Sequence, residues 1–416
     1  MEKYIICGGK RLSGKVDIQS AKNSVLPIIA GATLTDEQVV IKKCPKIDDV
    51  FAMLDILTYL GCSWNFVDDN LIINSQNINK YSIPKNLATK MRSSIFMLGA
   101  LISRFKKANI SYPGGCNIGK RPIDLHINAL KDLGVIIKQM EDEIVCSAKQ
   151  IVGGNIYLKF PSVGATENII LASVLASGKT QIFNSAKEPE IVELMVFLNY
   201  MGAKIYGAGT STILIEGVKK LHGCEYLPIP DRIECGTFLL ATAITGGEVE
   251  LNNCNVKNNS FLVHKLCDNT CKISVKNDII YVKSKSSKKG FSFETGPYPS
   301  FPTDLQAQTM SLLCVSEGLS VITENIFEMR FNHVKELLKM GADIQVKGKE
   351  AYIHGKTRLN GASVYASDLR GGASLVLAGL NAEGTNIVNN ISHIQRGYYQ
   401  LDKKLKALGA DIIKEN

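Results

Sequence analysis

The chain has 416 residues, 45% apolar and 21% charged, with 48 basic against 39 acidic residues for a formal net charge of +9. That much apolar material can fill more than one hydrophobic core, which excludes a chain disordered throughout. No basic head leads into a long apolar run, and runs such as 168–178 are too short for a membrane span, so the expectation is an unexported cytoplasmic protein with no membrane span.

Eleven cysteines are scattered without a Cys-x-x-Cys pair, which points to a reducing compartment with no disulfide framework and no metal site. The excess positive charge suits anionic ligands but is spread along the chain. Its densest run, 283–289, has serines and no aromatic platform, and reads as a solvated loop instead of a nucleic-acid patch.

In chain order, the dominant signal is repetition. A helical stretch ends at a Leu-Gly or Met-Gly pair and is followed by two short strands at Leu60-Gly61, Leu133-Gly134, Met201-Gly202, Met340-Gly341 and Leu408-Gly409. Glycine there suits a helix end that needs positive φ. The pairs recur roughly every 70 residues with one gap about twice as long. A sixth repeat that has lost its glycine fits that gap, at Asn269-Thr270-Cys271.

A second series keeps step with the first, as apolar, small-residue helices opening near Lys22, Arg92, Ser162, Asp231, Thr303 and Ser367. Helices apolar on every face are expected to be buried. Each unit therefore offers one buried helix, one amphipathic helix and about four strands. Six units can form two pseudo-threefold domains of three units each or a continuous solenoid. Polar residues gathered at one end of each buried helix favour two domains, with those ends meeting in a cleft.

Helix N-termini carry partial positive charge, so several aimed at one place make an anion site. Lys22, Arg92 and Arg370 stand at three such ends, as anion ligands or as ordinary surface cations. The segment 113–122, Pro-Gly-Gly-Cys-Asn-Ile-Gly-Lys-Arg-Pro, interrupts the second repeat as a surface loop. Within it Cys116, with Lys120 and Arg121 close behind, is either a reactive thiolate or an ordinary free thiol. Asp304, after Phe301-Pro302-Thr303, is a general base for a substrate hydroxyl or a helix cap. Glu188, Glu190 and Arg396 open amphipathic helices, where capping and surface pairing also explain them.

From its first residues to its last the chain resembles the UDP-N-acetylglucosamine 1-carboxyvinyltransferase family. The matching segments include Ser20-Ala21-Lys22-Asn23, residues 113–122 and 161–166, Lys187-Glu188-Pro189-Glu190, Pro230-Asp231-Arg232, residues 301–308, Ser367-Asp368-Leu369-Arg370 and Arg396-Gly397-Tyr398. The resemblance implies an α/β, two-domain inside-out barrel, the enolpyruvyl transferase fold, with three units per domain. One domain would span 22–229 and carry the Cys116 loop. The other would join 1–21 to 230–416 and carry Asp304 and Arg396, with the active site in the interdomain cleft.

The resemblance further implies transfer of the enolpyruvyl group of phosphoenolpyruvate to the 3′-hydroxyl of UDP-N-acetylglucosamine, by addition and elimination, in peptidoglycan synthesis. Lys22, Arg121 and Arg396 would hold phosphoenolpyruvate, with Arg92, Cys116, Asp304, Asp368 and Arg370 around the reacting centre. Asn23, Ser162, Val163, Gly164, Asp231, Thr303, Ile326, Phe327 and Arg330 would position the nucleotide sugar. No metal or cofactor is implied, and inhibition by fosfomycin is. Cys116 would serve as acid, covalent nucleophile or aid to product release. Asp48, Phe96 and Phe160 depart from residues that some relatives carry. The competing readings are transfer to shikimate 3-phosphate, against which the cysteine loop argues, and a catalytically silent binding or regulatory paralogue.

Overall fold

Each of the six repeats carries a four-stranded sheet, and all six sheets are paired the same way. In the third, Asn155–Tyr157 runs parallel to Lys179–Phe183, which is antiparallel to Thr212–Glu216, itself antiparallel to Lys204–Tyr206. The other five repeat this parallel, antiparallel, antiparallel order. The strands alternate buried and less buried residues, as in Asn70–Asn74 and Thr212–Glu216, so each sheet has one face on a core and one toward solvent. The computed structural model describes residues 2–115, 118–119, 122–356 and 358–415.

The chain divides into two compact units. The first takes the residues up to Gln19 and those from Pro230 on, together with 118–119, and the second takes Ser20–Gly115 and Pro122–Ile229. Three sheets belong to each. The N-terminal segment completes two sheets of the first unit. Lys3–Cys7 lies between Thr385–Asn389 and Asp411–Glu415, and Ser13–Asp17 lies parallel to Glu248–Asn252. In the second unit Glu225–Tyr226 returns to pair with Val39–Ile41.

The expected all-apolar helices are the buried ones. Every residue of Gln306–Leu313 is buried, as are nearly all of Arg232–Thr245 and Leu369–Asn381, and these three pack together at the centre of the first unit. In the second unit Lys22–Gly31, Phe96–Phe105 and Val163–Ser173 have the same place.

The helix-ending glycines Gly61, Gly134, Gly202, Gly341 and Gly409 all have positive φ, between 82° and 105°, which a side chain would strain. The fourth unit, at Asn269-Thr270-Cys271, needs none. Thr270 has a φ of −133°, and the helix Ser260–Asn269 runs almost directly into the strand Cys271–Lys276. The missing glycine is thus a different exit from the helix. Among the described residues no helix is long and apolar enough to cross a membrane.

Candidate active site

In the first unit the openings of the three central helices bring the expected residues together. Asp304 lies in a short 3-10 turn, Thr303–Leu305, that leads into Gln306–Leu313. Its carboxylate accepts from Arg330 Nη2 at 2.8 Å and from Arg370 Nη2 at 3.0 Å, one guanidinium on each oxygen. Both arginines are buried, while Asp304 keeps 29% of its side chain exposed. Burial opposes the charge on Arg370, but Asp304, Tyr398 and Asp231 outweigh it and hold the guanidinium above its ordinary range.

Arg330 also donates to the Thr303 carbonyl and lies 3.7 Å from Asp368. Asp368 caps the helix Leu369–Asn381 by accepting from the Arg370 and Gly371 amides. Asp231 does the same for Arg232–Thr245 through Ile233 and Glu234. Both aspartates therefore act as helix caps, a role that fixes where the first turns point. Arg396 ends the short helix Ser392–Gln395. Burial lowers the pKa of its neighbour His393, with Arg396 lowering it further and Asp368 raising it.

Thr303, Ile326 and Phe327 are gathered by a residue that sequence reasoning missed. The buried carboxylate of Glu324 accepts from Thr303 Oγ1 at 2.9 Å and from the amides of Ile326 and Phe327 at 2.8 and 3.1 Å. A glutamate just ahead of Asn325-Ile326-Phe327 is the signal that could have found it, because it precedes an apolar turn whose amides need acceptors.

The second unit holds the remaining cations. Lys22 starts the helix Lys22–Gly31, with Asn23 behind it, and its ammonium sits 2.7 Å from the buried carboxylate of Asp49. Asp49, also missed, lies in the first turn of Asp48–Leu60, where a negative charge is favoured. Arg92 opens a 3-10 turn, and its Nη2 is 3.5 Å from the Pro122 carbonyl. Ser162 caps Val163–Ser173, and Gly164 lies against His126 and Phe96, where a β-carbon would sit 3.4 Å from the imidazole.

His126 is held neutral. Asn168 Oδ1 accepts from the Gly99 amide, so its Nδ2 faces His126 Nδ1 and leaves the ring proton on Nε2. Burial, reinforced by Arg92, pushes this histidine down to about 3. Burial also raises the Glu167 carboxyl well above its ordinary range, with Glu190 and Glu188 adding to the effect.

Cys116 and Arg121 lie outside the described residues. The start of their loop is set by close backbone approach. A β-carbon on Gly114 would fall 1.9 Å from the Thr89 carbonyl oxygen, and one on Gly115 would crowd Arg92. Ile118 accepts from the Met329 amide. Among the described residues no group of three or more His, Cys, Asp or Glu could hold a metal.

The fold is that of the enolpyruvyl transferases. An enolpyruvyl transferase, NikO from Streptomyces tendae, superposes with a TM-score of 0.89 at 24% identity over 100% of this chain and 99% of that one. EPSP synthase from Acinetobacter baumannii gives 0.79 at 17%, over the whole of both chains. The sequence profile of EPSP synthase (3-phosphoshikimate 1-carboxyvinyltransferase) matches residues 6–405.

Nearer relatives divide this class further. UDP-N-acetylglucosamine 1-carboxyvinyltransferase 2 of Caldanaerobacter subterraneus subsp. tengcongensis is 50% identical over 100% of both chains. UDP-N-acetylglucosamine 1-carboxyvinyltransferase 1 of Clostridium acetobutylicum is 48% identical over 99% of each. The chain belongs to the UDP-N-acetylglucosamine 1-carboxyvinyltransferase family.

Proposed function

We propose that the protein transfers the 1-carboxyvinyl group of phosphoenolpyruvate to the 3′-hydroxyl of UDP-N-acetylglucosamine, releasing phosphate, in peptidoglycan synthesis. The observation that carries the chemistry is a single carboxylate, Asp304, held between the buried guanidiniums of Arg330 and Arg370. Each guanidinium takes one lone pair on a different oxygen. A carboxylate has about four acceptor sites, so a substrate hydroxyl can still donate to it. The full-length relatives supply the substrate, since their names specify the nucleotide sugar.

On this reading Asp304 takes the hydroxyl proton as the oxygen adds to C2 of phosphoenolpyruvate, whose C3 gains a proton. The tetrahedral adduct then loses that position's proton and the phosphate, which breaks the C2–O bond and restores the vinyl group. Lys22, Arg121 and Arg396 hold the phosphate and carboxylate, and Arg92, Asp368 and Arg370 surround the centre, so that charge stabilisation and positioning do much of the work. Cys116 serves beside C3. Asn23, Ser162, Val163, Gly164, Asp231, Thr303, Ile326, Phe327 and Arg330 position the nucleotide sugar. The ten free thiols among the described residues support a cytoplasmic setting.

Addition and elimination make C3 a transient methyl group. Turnover in deuterium oxide is therefore expected to place deuterium in the vinyl group of the product, read by NMR. A product free of deuterium contradicts the mechanism.

A further inference from the structure

Tyr398 is fully buried two residues beyond Arg396, and its hydroxyl lies where the central helices of the first unit meet. It is 2.8 Å from Thr237 Oγ1 on the helix Arg232–Thr245 and 3.1 Å from Gln308 Nε2 on Gln306–Leu313. Its ring lies 5.4 Å from the Arg370 guanidinium on the third helix.

The direction of each bond can be worked out. Thr237 Oγ1 donates to the Ile233 carbonyl at 2.8 Å, so Tyr398 must donate to Thr237 and accept from Gln308. Gln308 Nε2 also faces the Asp304 carbonyl at 2.9 Å, and a carbonyl can only accept, which fixes the orientation of the amide. One amide nitrogen thus bonds both the backbone of Asp304 and the hydroxyl of Tyr398. Burial raises the phenol pKa, so the hydroxyl stays a donor throughout the working pH range.

The other side of the same segment is held by Gln19. Its Nε2 donates to the Gly397 carbonyl at 2.9 Å, and its Oε1 accepts from the Tyr399 amide at 3.0 Å. The chain that follows Arg396 is therefore fixed from two directions, and only the Tyr398 side reaches Asp304.

We propose that Tyr398 and Gln308 are positioning residues for the transfer, forming a directed hydrogen-bond relay that ties the backbone of Asp304 to the segment bearing Arg396. The relay rests on the roles given above to those two residues. It sets the base and the phosphate-holding cation in register with each other, so its loss lowers the rate of the chemical step more than it lowers binding of the nucleotide sugar.

Tyr398→Phe keeps the ring beneath Arg370 and removes only the hydroxyl, Gln308→Met removes the amide, and Asp304→Asn tests the base directly. Each of the first two is expected to lower kcat about tenfold, with KM for UDP-N-acetylglucosamine within about twofold of the parent. Because both break one relay, the double variant should lose little more than either alone. Parent-like kcat in folded Tyr398→Phe, or losses that multiply in the double variant, overturns the relay. Should Tyr398→Phe not fold, Gln308→Met decides by the same criterion. Normal turnover by Asp304→Asn overturns the base assignment and the relay's purpose with it. An inactive Asp304→Asn beside a normal Tyr398→Phe overturns the relay alone.

Discussion

Asp304, read as either a base or a cap, faces two arginines that lie 26 and 66 residues further along the chain. Neither pairing follows from local pattern, since nothing in residues 301–308 says which distant cations fold back on them. Asp368 and Asp231 are the reverse case, because their capping bonds are local and were legible as polar residues ahead of apolar helices. Asp304→Asn keeps an acceptor oxygen for one of the two buried arginines and removes the base. Turnover is expected to fall by about two to four orders of magnitude with nucleotide-sugar affinity largely kept, as read by phosphate release and calorimetry; near-normal turnover would remove Asp304 from the mechanism. Cys116 is expected to be the thiol alkylated by fosfomycin, faster with UDP-N-acetylglucosamine bound, because the phosphonate takes the phosphate's place while a strained carbon meets sulfur. Peptide mapping checks this, and labelling spread over other cysteines contradicts it.

Among the elements, helix ends were the most legible feature, because a positive-φ exit calls for glycine and a free N-terminus calls for an oxygen. Less legible was what helices do with the carboxylates on their buried faces. On Pro189–Tyr200, Glu193 accepts from the Ile229 amide at 3.0 Å. Burial pushes it up to about 7, against the bonds from Tyr226 and Ile229 and helped by Glu190. The folded chain thus keeps a proton that an unfolded glutamate, near 4.3, releases earlier. Native stability supplied by this group is full at low pH and is lost as pH rises from about 4.5 to about 7. Glu193→Gln keeps the acceptor and cannot ionise. Its melting temperature relative to the parent is expected to rise between pH 5 and pH 8, by the equivalent of up to about 3 kcal/mol. A pH-independent difference contradicts the burial argument.

For the whole molecule, the repeat count carried the reading further than any motif, since six units of one pairing pattern are what the recurring Leu-Gly and Met-Gly pairs require. The sequence could not show that Lys3–Cys7 and Ser13–Asp17 serve two different sheets, because strand partners hundreds of residues away leave no local mark. The substrate is likewise a property of the assembled chain. The central claim is tested most directly by phosphate release from phosphoenolpyruvate, with UDP-N-acetylglucosamine or with shikimate 3-phosphate as the acceptor. Release with the nucleotide sugar and none above background with shikimate 3-phosphate is the expected result, and release with shikimate 3-phosphate alone, or with neither, contradicts it.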